Sequence, residues 1–384
     1  MPMEKIYLDN SSTSFPKAIG VGDVVKNFID NSSCNISRGG YGMAYDLEGL
    51  IYDTRDMLCK MFNFHKPSNV CFTPSVTYAL NFLISGLLKK GDHVVISGME
   101  HNAVSRPIKN LEKYGVNNTI VKCDKEGFLD LDELEKSINV NTKAVIICFV
   151  SNVSGTIQDI ESISKICSMK NVPLILDASQ GAGVIDIDFK KLNLSALAMP
   201  AHKGLLAPQG LGILMITDEL NEKVDPIILG GTGSISDKLV MPNFLPDKFE
   251  AGTLNLPGIV GLNKALEFIN KVGIDTIREK EKALTYKFIN GLKDIKGISI
   301  IGPKDINKRA GVVSIDFIDK DNSDMAFRLD DEYKIMTRCG LHCAPLAHMS
   351  YETFPKGTVR FSFGYFNTED EVEKVVEAIS NLID

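Results

Sequence analysis

The sequence predicts an α/β protein in two units: a large domain on a mostly parallel sheet, and a smaller α+β domain. Three observations carry this. From about residue 70 to residue 217, apolar β-rich runs alternate with helical patterns, the order of a parallel sheet covered on both faces. Beyond about residue 257, strands and helices segregate instead. The length, 384 residues, suits two domains better than one small core. The expected boundaries are 16–272 for the large domain, with 1–15 and 273–384 forming the small one.

Residues 5–9, K-I-Y-L-D, read as a short strand before the polar turn N-S-S-T-S-F-P. Beyond Asp46 the apolar residues take the spacing of an amphipathic helix. Val70 opens a strand, a small-residue turn and a helix, which puts Ser75, Val76 and Thr77 at a helix N-terminus. Unpaired N–H groups and the helix dipole favour a phosphate there. No G-K-[ST] is present, so the turn is not a Walker loop. Strands follow at 93–97, 143–150, 172–177, 197–199 and 211–217, with helical patterns at 131–138 and 163–170. In the C-terminal part a long helix and a charged one (275–293) precede the strand-like runs I-S-I-I-G and A-G-V-V-S-I-D-F. After another helix comes a loop with two cysteines, R-C-G-L-H-C-A-P-L-A (338–347), then T-V-R-F-S-F-G-Y. Thr368 caps the closing helix, with Glu371 three residues on.

Composition excludes several partners. The net charge is −7, and no basic run offers a nucleic acid or an anionic membrane a binding surface. No apolar run approaches the ~18 residues of a membrane span. The N-terminus lacks the charged, apolar and small-residue order of a signal peptide. The eight cysteines, several inside apolar runs, fit reduced thiols. A cytoplasmic protein is expected.

In parallel sheets, ligands sit beyond the carboxyl ends of the strands. Those ends hold His101, Asn152, Asp177, Gln180 and the pair His202-Lys203. A lysine at one strand end and an aspartate at its neighbour suit pyridoxal 5′-phosphate (PLP). The lysine forms a Schiff base, and the aspartate keeps the pyridine nitrogen protonated. Lys203 and Asp177 fill these roles, His101 can stack on the ring, and Gln180 and Asn152 can bond the ring oxygen. The helix start at Val76-Thr77 takes the phosphate. Singly, each residue has an ordinary explanation as a turn or solvated side chain; together they point to one ligand.

Five segments, M-E-H-N-A-V, S-N-V-S-G-T, D-A-S-Q-G-A-G, A-H-K-G-L-L-A-P-Q-G-L-G-I-L and F-E-A-G-T-L-N, resemble the class V aminotransferase-like PLP enzymes. R-C-G-L-H-C-A-P resembles the loop of the group II cysteine desulfurase and selenocysteine lyase branch. The resemblance implies the type I PLP-dependent transferase fold and a homodimer with sites at the subunit interface. It implies catalytic roles for Lys203, His101 and the nucleophile Cys343, with His202 before the lysine. Thr77 contacts phosphate, Thr253 does so from the neighbouring subunit, and Arg360 clamps the amino-acid carboxylate with Arg338 lining the loop. The implied reaction takes selenium or sulfur from L-selenocysteine or L-cysteine onto Cys343, leaving L-alanine, for an acceptor protein.

Three departures stand out: Pro200 where relatives carry a hydroxyl, Tyr41 where many carry a substrate-facing histidine, and Cys339 after Arg338. Cys339 motivates an expected lean to selenocysteine, as a resolving or discriminating thiol, with cysteine desulfurase as the alternative. His342 and Arg338 are expected to favour the Cys343 thiolate. No metal is expected, although Cys339, His342, Cys343 and His348 offer soft ligands of zinc type. A class V transaminase with idle cysteines is the remaining alternative.

Overall fold

The computed structural model describes residues 5–36 and 39–383; residues 1–4 and 384 of the expected small unit lie outside them. The strands are β1 (Ile6–Tyr7), β2 (Val70–Thr73), β3 (His93–Ser97), β4 (Asn117–Val121), β5 (Thr142–Cys148), β6 (Leu174–Asp177) and β7 (Ala196–Pro200). They continue with β8 (Gly212–Ile216), β9 (Ile298–Ile301), β10 (Val312–Phe317), β11 (Ile335–Met336), β12 (Arg338–Gly340) and β13 (Thr358–Ser362). Seven of them form one sheet in the order β2-β8-β7-β6-β5-β3-β4. Only β8 runs antiparallel to its neighbours in it; the other pairs are parallel.

Strands β3, β7 and β8 are buried along their whole length, because helices cover both faces. Successive side chains point to opposite faces. Val95, Val145, Leu174, Leu197 and Ile213 therefore join one core, with the helices Gly42–Met61, Ile160–Met169 and Leu256–Val272. Val94, Ala144, Ile175, Ala198 and Leu214 join the other, with Val76–Leu87 and Asn102–Leu111. In this sheet the expected strands lie within two residues of the observed ones, and β4 is the one the sequence hid. Its N-N-T-I-V is half exposed at the sheet edge, so no apolar run marks it.

The antiparallel sheet β12-β13-β10-β9 packs Val313, Ile315, Phe317 and Phe361 against the helices Ile274–Gly291, Asn322–Tyr333 and Glu369–Ile383. The N-terminal strand joins this side of the molecule: Ile6 and Tyr7 pair with Ile335 and Met336, and Asp9 bridges to Ser362. One expectation changes. The stretch read as a loop from Arg338 begins as an edge strand, with Arg338, Cys339 and Gly340 opposite Arg360, Val359 and Thr358. Three residues are too few for an alternating pattern to show.

Candidate active site

The strand ends converge as the topology requires. Asp177 closes β6, is 2% exposed, and accepts from the Ser179 backbone N–H at 3.0 Å and from the Ser179 hydroxyl. Lys203 lies in the turn after β7. Burial lowers its ammonium to about 8, with Asp177 pulling it up and Arg360 and Arg338 pushing it down. His101 caps the helix Asn102–Leu111, its Nδ1 accepting from the Ala103 N–H at 3.0 Å. That bond leaves Nε2 to carry the proton of the neutral ring. Burial pushes the imidazole down to about 4, Asp177 opposing and Lys203 assisting. These three groups thus share one electrostatic neighbourhood.

The turn before the helix Val76–Leu87 has its cap residue, Ser75, in extended conformation with no side-chain cap bond. First-turn amides have no intrahelical partner, so the amides near Val76 and Thr77 face outward, and Thr77 is exposed. Gly212 makes room for the turn: a Cβ there would sit 2.3 Å from Ser75 C and 2.5 Å from Val76 N. Pro200 pairs with Gly212 at the end of β7.

The N-terminal segment fastens the lysine turn. The His202 carbonyl accepts from the Ser14 N–H at 2.9 Å, from Lys17 Nζ at 2.9 Å, and from the hydroxyls of Ser14 at 3.1 Å and Thr13 at 3.2 Å. Gln180 Nε2 donates to the Ser11 carbonyl at 3.0 Å. Sequence reasoning missed Lys17 and this clamp; the hydroxyl-rich run before Pro16 was its only signal. It missed Glu281 too, a 7% exposed carboxyl that lines a chamber of about 40 Å³ with Gln180 and Lys203. Burial raises that carboxyl to about 8 against the pull of Arg278.

Arg360, 2% exposed, donates to the Asn152 carbonyl at 3.0 Å and to Asp9 Oδ1 and Ser12 Oγ at 2.8 Å. Arg338 reaches the same Ser12 hydroxyl at 2.6 Å. Asn152 Nδ2 donates to the His342 carbonyl at 2.7 Å, and its Oδ1 is buried with no partner. Cys343 is exposed. It and His342 are consecutive non-glycine residues in the left-handed region, at φ 57° and 49°, each costing about 1 kcal/mol.

One expectation about the cysteine loop is corrected. His342 supplies no positive charge to Cys343. Burial, then Arg360 and His348, holds its imidazole at about 2, and its Nε2 bonds Thr358 Oγ1 at 3.1 Å. Alternation along β12 turns Arg338 to Ser12, whereas Cys339 Sγ meets Ser323 Oγ at 3.6 Å at the margin of the small core. Two further expected residues lie at the surface of the chain. Tyr41 is 49% exposed at the start of the helix Gly42–Met61. Thr253 is exposed on a cavity it shares with Phe72, Tyr78 and Asn255. Among the described residues, no three His, Cys, Asp or Glu side chains gather as a metal site.

A family model described as aminotransferase class V matches residues 6–375. The chain belongs to that family. Its relatives include a probable cysteine desulfurase of Pyrococcus abyssi, 33% identical over 100% of this chain and 95% of that one. A probable cysteine desulfurase of Methanothermobacter thermautotrophicus is 30% identical over 99% of this chain and 95% of that one. Among solved structures, the apo cysteine desulfurase of Thermococcus onnurineus NA1 superposes with a TM-score of 0.91 at 31% identity, covering 99% of this chain and 94% of that one. The fold is the type I PLP fold, and the cofactor of this class V enzyme is PLP. The residues present fit it. Lys203 is half-buried with its ammonium lowered to about 8, Asn152 Oδ1 lacks a donor, and the first-turn amides near Val76 have no intrahelical partner. Among the described residues no helix is long and apolar enough to cross a membrane.

Proposed function

We propose that this class V enzyme removes sulfur from L-cysteine, leaving L-alanine and a persulfide on Cys343 for an acceptor protein. The observation that carries this is Cys343 itself: an exposed thiol on a turn bonded to Asn152, which also touches the buried Arg360. The names of the relatives support the same substrate. In this reading residues 16–272 carry the cofactor, while 1–15 and 273–384 carry the cysteine loop.

Bound PLP supplies the electron sink that lets the substrate Cα–H bond ionise. Lys203, lowered to about 8, is an amine able to take that proton at Nζ near neutral pH. Arg360 and Arg338, converging on Ser12, provide the cationic seat for the carboxylate. Asp177 and His101 are the residues that would hold the cofactor ring. Cys343 Sγ bonds the substrate sulfur as the Cβ–S bond breaks. The electron pair of that bond stays with Cβ, which is protonated on the way to alanine.

Selenocysteine is the competing substrate. The preference for it rests on Cys339, whose thiol meets the Ser323 hydroxyl at 3.6 Å. Exposed Tyr41 and Thr253 fit sites completed across a homodimer, Thr253 reaching the phosphate of the partner.

The test is alanine formation by the PLP-loaded protein from L-cysteine and from L-selenocysteine, without added keto acid. Alanine from cysteine in the wild type, and none in Cys343→Ala, is expected. Turnover of selenocysteine alone overturns the substrate, and a requirement for keto acid overturns the reaction.

A further inference from the structure

The turn that presents Cys343 is fastened at two consecutive carbonyls. Asn152 Nδ2 donates to the His342 carbonyl at 2.7 Å, and the backbone N–H of Asn102 donates to the Cys343 carbonyl at 2.7 Å. Both acceptors belong to the left-handed residues, φ 49° and 57°. A non-glycine pair tends to relax out of that region unless its surroundings hold it there. Both donors stand at ends of the large sheet: Asn152 beyond β5, and Asn102 beside His101. Asn152 is also tied to Arg360 through its own carbonyl, 3.0 Å away, and turns an unpartnered Oδ1 into the buried interior.

We infer that Asn152 and the Asn102 amide are positioning groups for Cys343: they hold its turn left-handed, so the cofactor cradle aims the nucleophile. This rests on the proposed role of Cys343 and goes beyond it by naming what aims the thiol. An amide has one donor end and one acceptor end. A donor from a bound ligand to Asn152 Oδ1 therefore keeps Nδ2 turned to the His342 carbonyl. Occupancy of the pocket and the set of the nucleophile are coupled through one side chain.

Two substitutions separate this from a general role in folding. Asn102 is the first residue of its helix, where proline is accepted. His101 before it, at φ −70° and ψ 156°, has the backbone that precedes proline. Asn102→Pro thus deletes one N–H and leaves the cofactor-facing side chains in place. Asn152→Asp keeps the shape and exchanges the donor for an acceptor.

Hydrogen–deuterium exchange on the PLP-loaded protein reads the outcome. Peptides over 340–347 should exchange about fivefold faster in each variant, the effect of one lost hydrogen bond. Peptides of β5 and β6 should be unchanged in Asn102→Pro, and its turnover of cysteine should fall with KM unaltered. Wild-type exchange at 340–347 in Asn102→Pro overturns the inference, and this variant decides even where Asn152→Asp loosens the whole sheet. Failure of the cysteine reading shows elsewhere, as no alanine from the wild type, and leaves the exchange result standing.

Discussion

Arg338 and Arg360 stand opposite each other across β12 and β13 and donate to one hydroxyl, Ser12 Oγ, at 2.6 and 2.8 Å. Two guanidiniums this close repel, and Asp9 at 2.8 Å from Arg360 Nη2 is the carboxylate that offsets them. Asp9→Asn keeps the shape and removes the charge. Leaving a buried arginine uncompensated should cost about 3 kcal/mol, read as a lower urea midpoint. An unchanged midpoint would show that the pair does not stabilise the fold.

Lys203 must be neutral to add to an aldehyde. Its ammonium is lowered to about 8 by burial, Asp177 opposing, so the neutral fraction climbs about tenfold per pH unit below that value and levels above it. The rate at which cofactor-free protein captures PLP should follow this curve. His101, near 4, stays neutral throughout and adds no second inflection. A flat profile between pH 6 and pH 9 would contradict the assignment.

The two loop cysteines should behave differently. Cys343→Ala abolishes sulfur removal, whereas Cys339→Ala should keep turnover within about twofold and cost about 1 kcal/mol or less, as for a partly exposed side chain at a core margin. Steady-state alanine production and a thermal melt on each variant check both statements.

Glu281 makes stability depend on pH in a direction opposite to that of a salt-bridged carboxylate. Its folded value, raised by burial to about 8 from 4.5, means the folded chain holds a proton the unfolded chain has released. The stabilisation is complete below 4.5 and is lost as pH rises through about 8. Glu281→Gln should remove that loss, gaining about 2–4 kcal/mol at pH 8 relative to the wild type. Denaturant midpoints of both proteins at pH 5 and pH 8 give the comparison.

The parts of the site legible in the sequence were those that strand order alone brings together. Asp177, Lys203, His101 and Asn152 end or follow parallel strands, so recognising the strands was enough to group them. The residues that hold them were not legible. Asp9, Ser12 and Lys17 lie far from their partners in sequence, and nothing local in a run of serines indicates a carbonyl or guanidinium to be met. The facing of Cys339 was hidden for a related reason: on β12 its side chain and that of Arg338 go to opposite faces, and three residues are too few to show it. Edge strand β4 escaped because one exposed face erases the apolar run.

The segment from Asp9 to Lys17 has a consequence for how the protein comes into being. Asp9 and Arg360 are 351 positions apart, and synthesis runs from the N-terminus. On the ribosome, the early segment that clamps the lysine turn must wait for the last strand of the small sheet before Arg360 has its counter-ion. A nascent chain can therefore assemble the large sheet well before Arg360, the proposed seat of the substrate carboxylate, is in place. Chains released short of β13 lack the arginine proposed to hold the substrate.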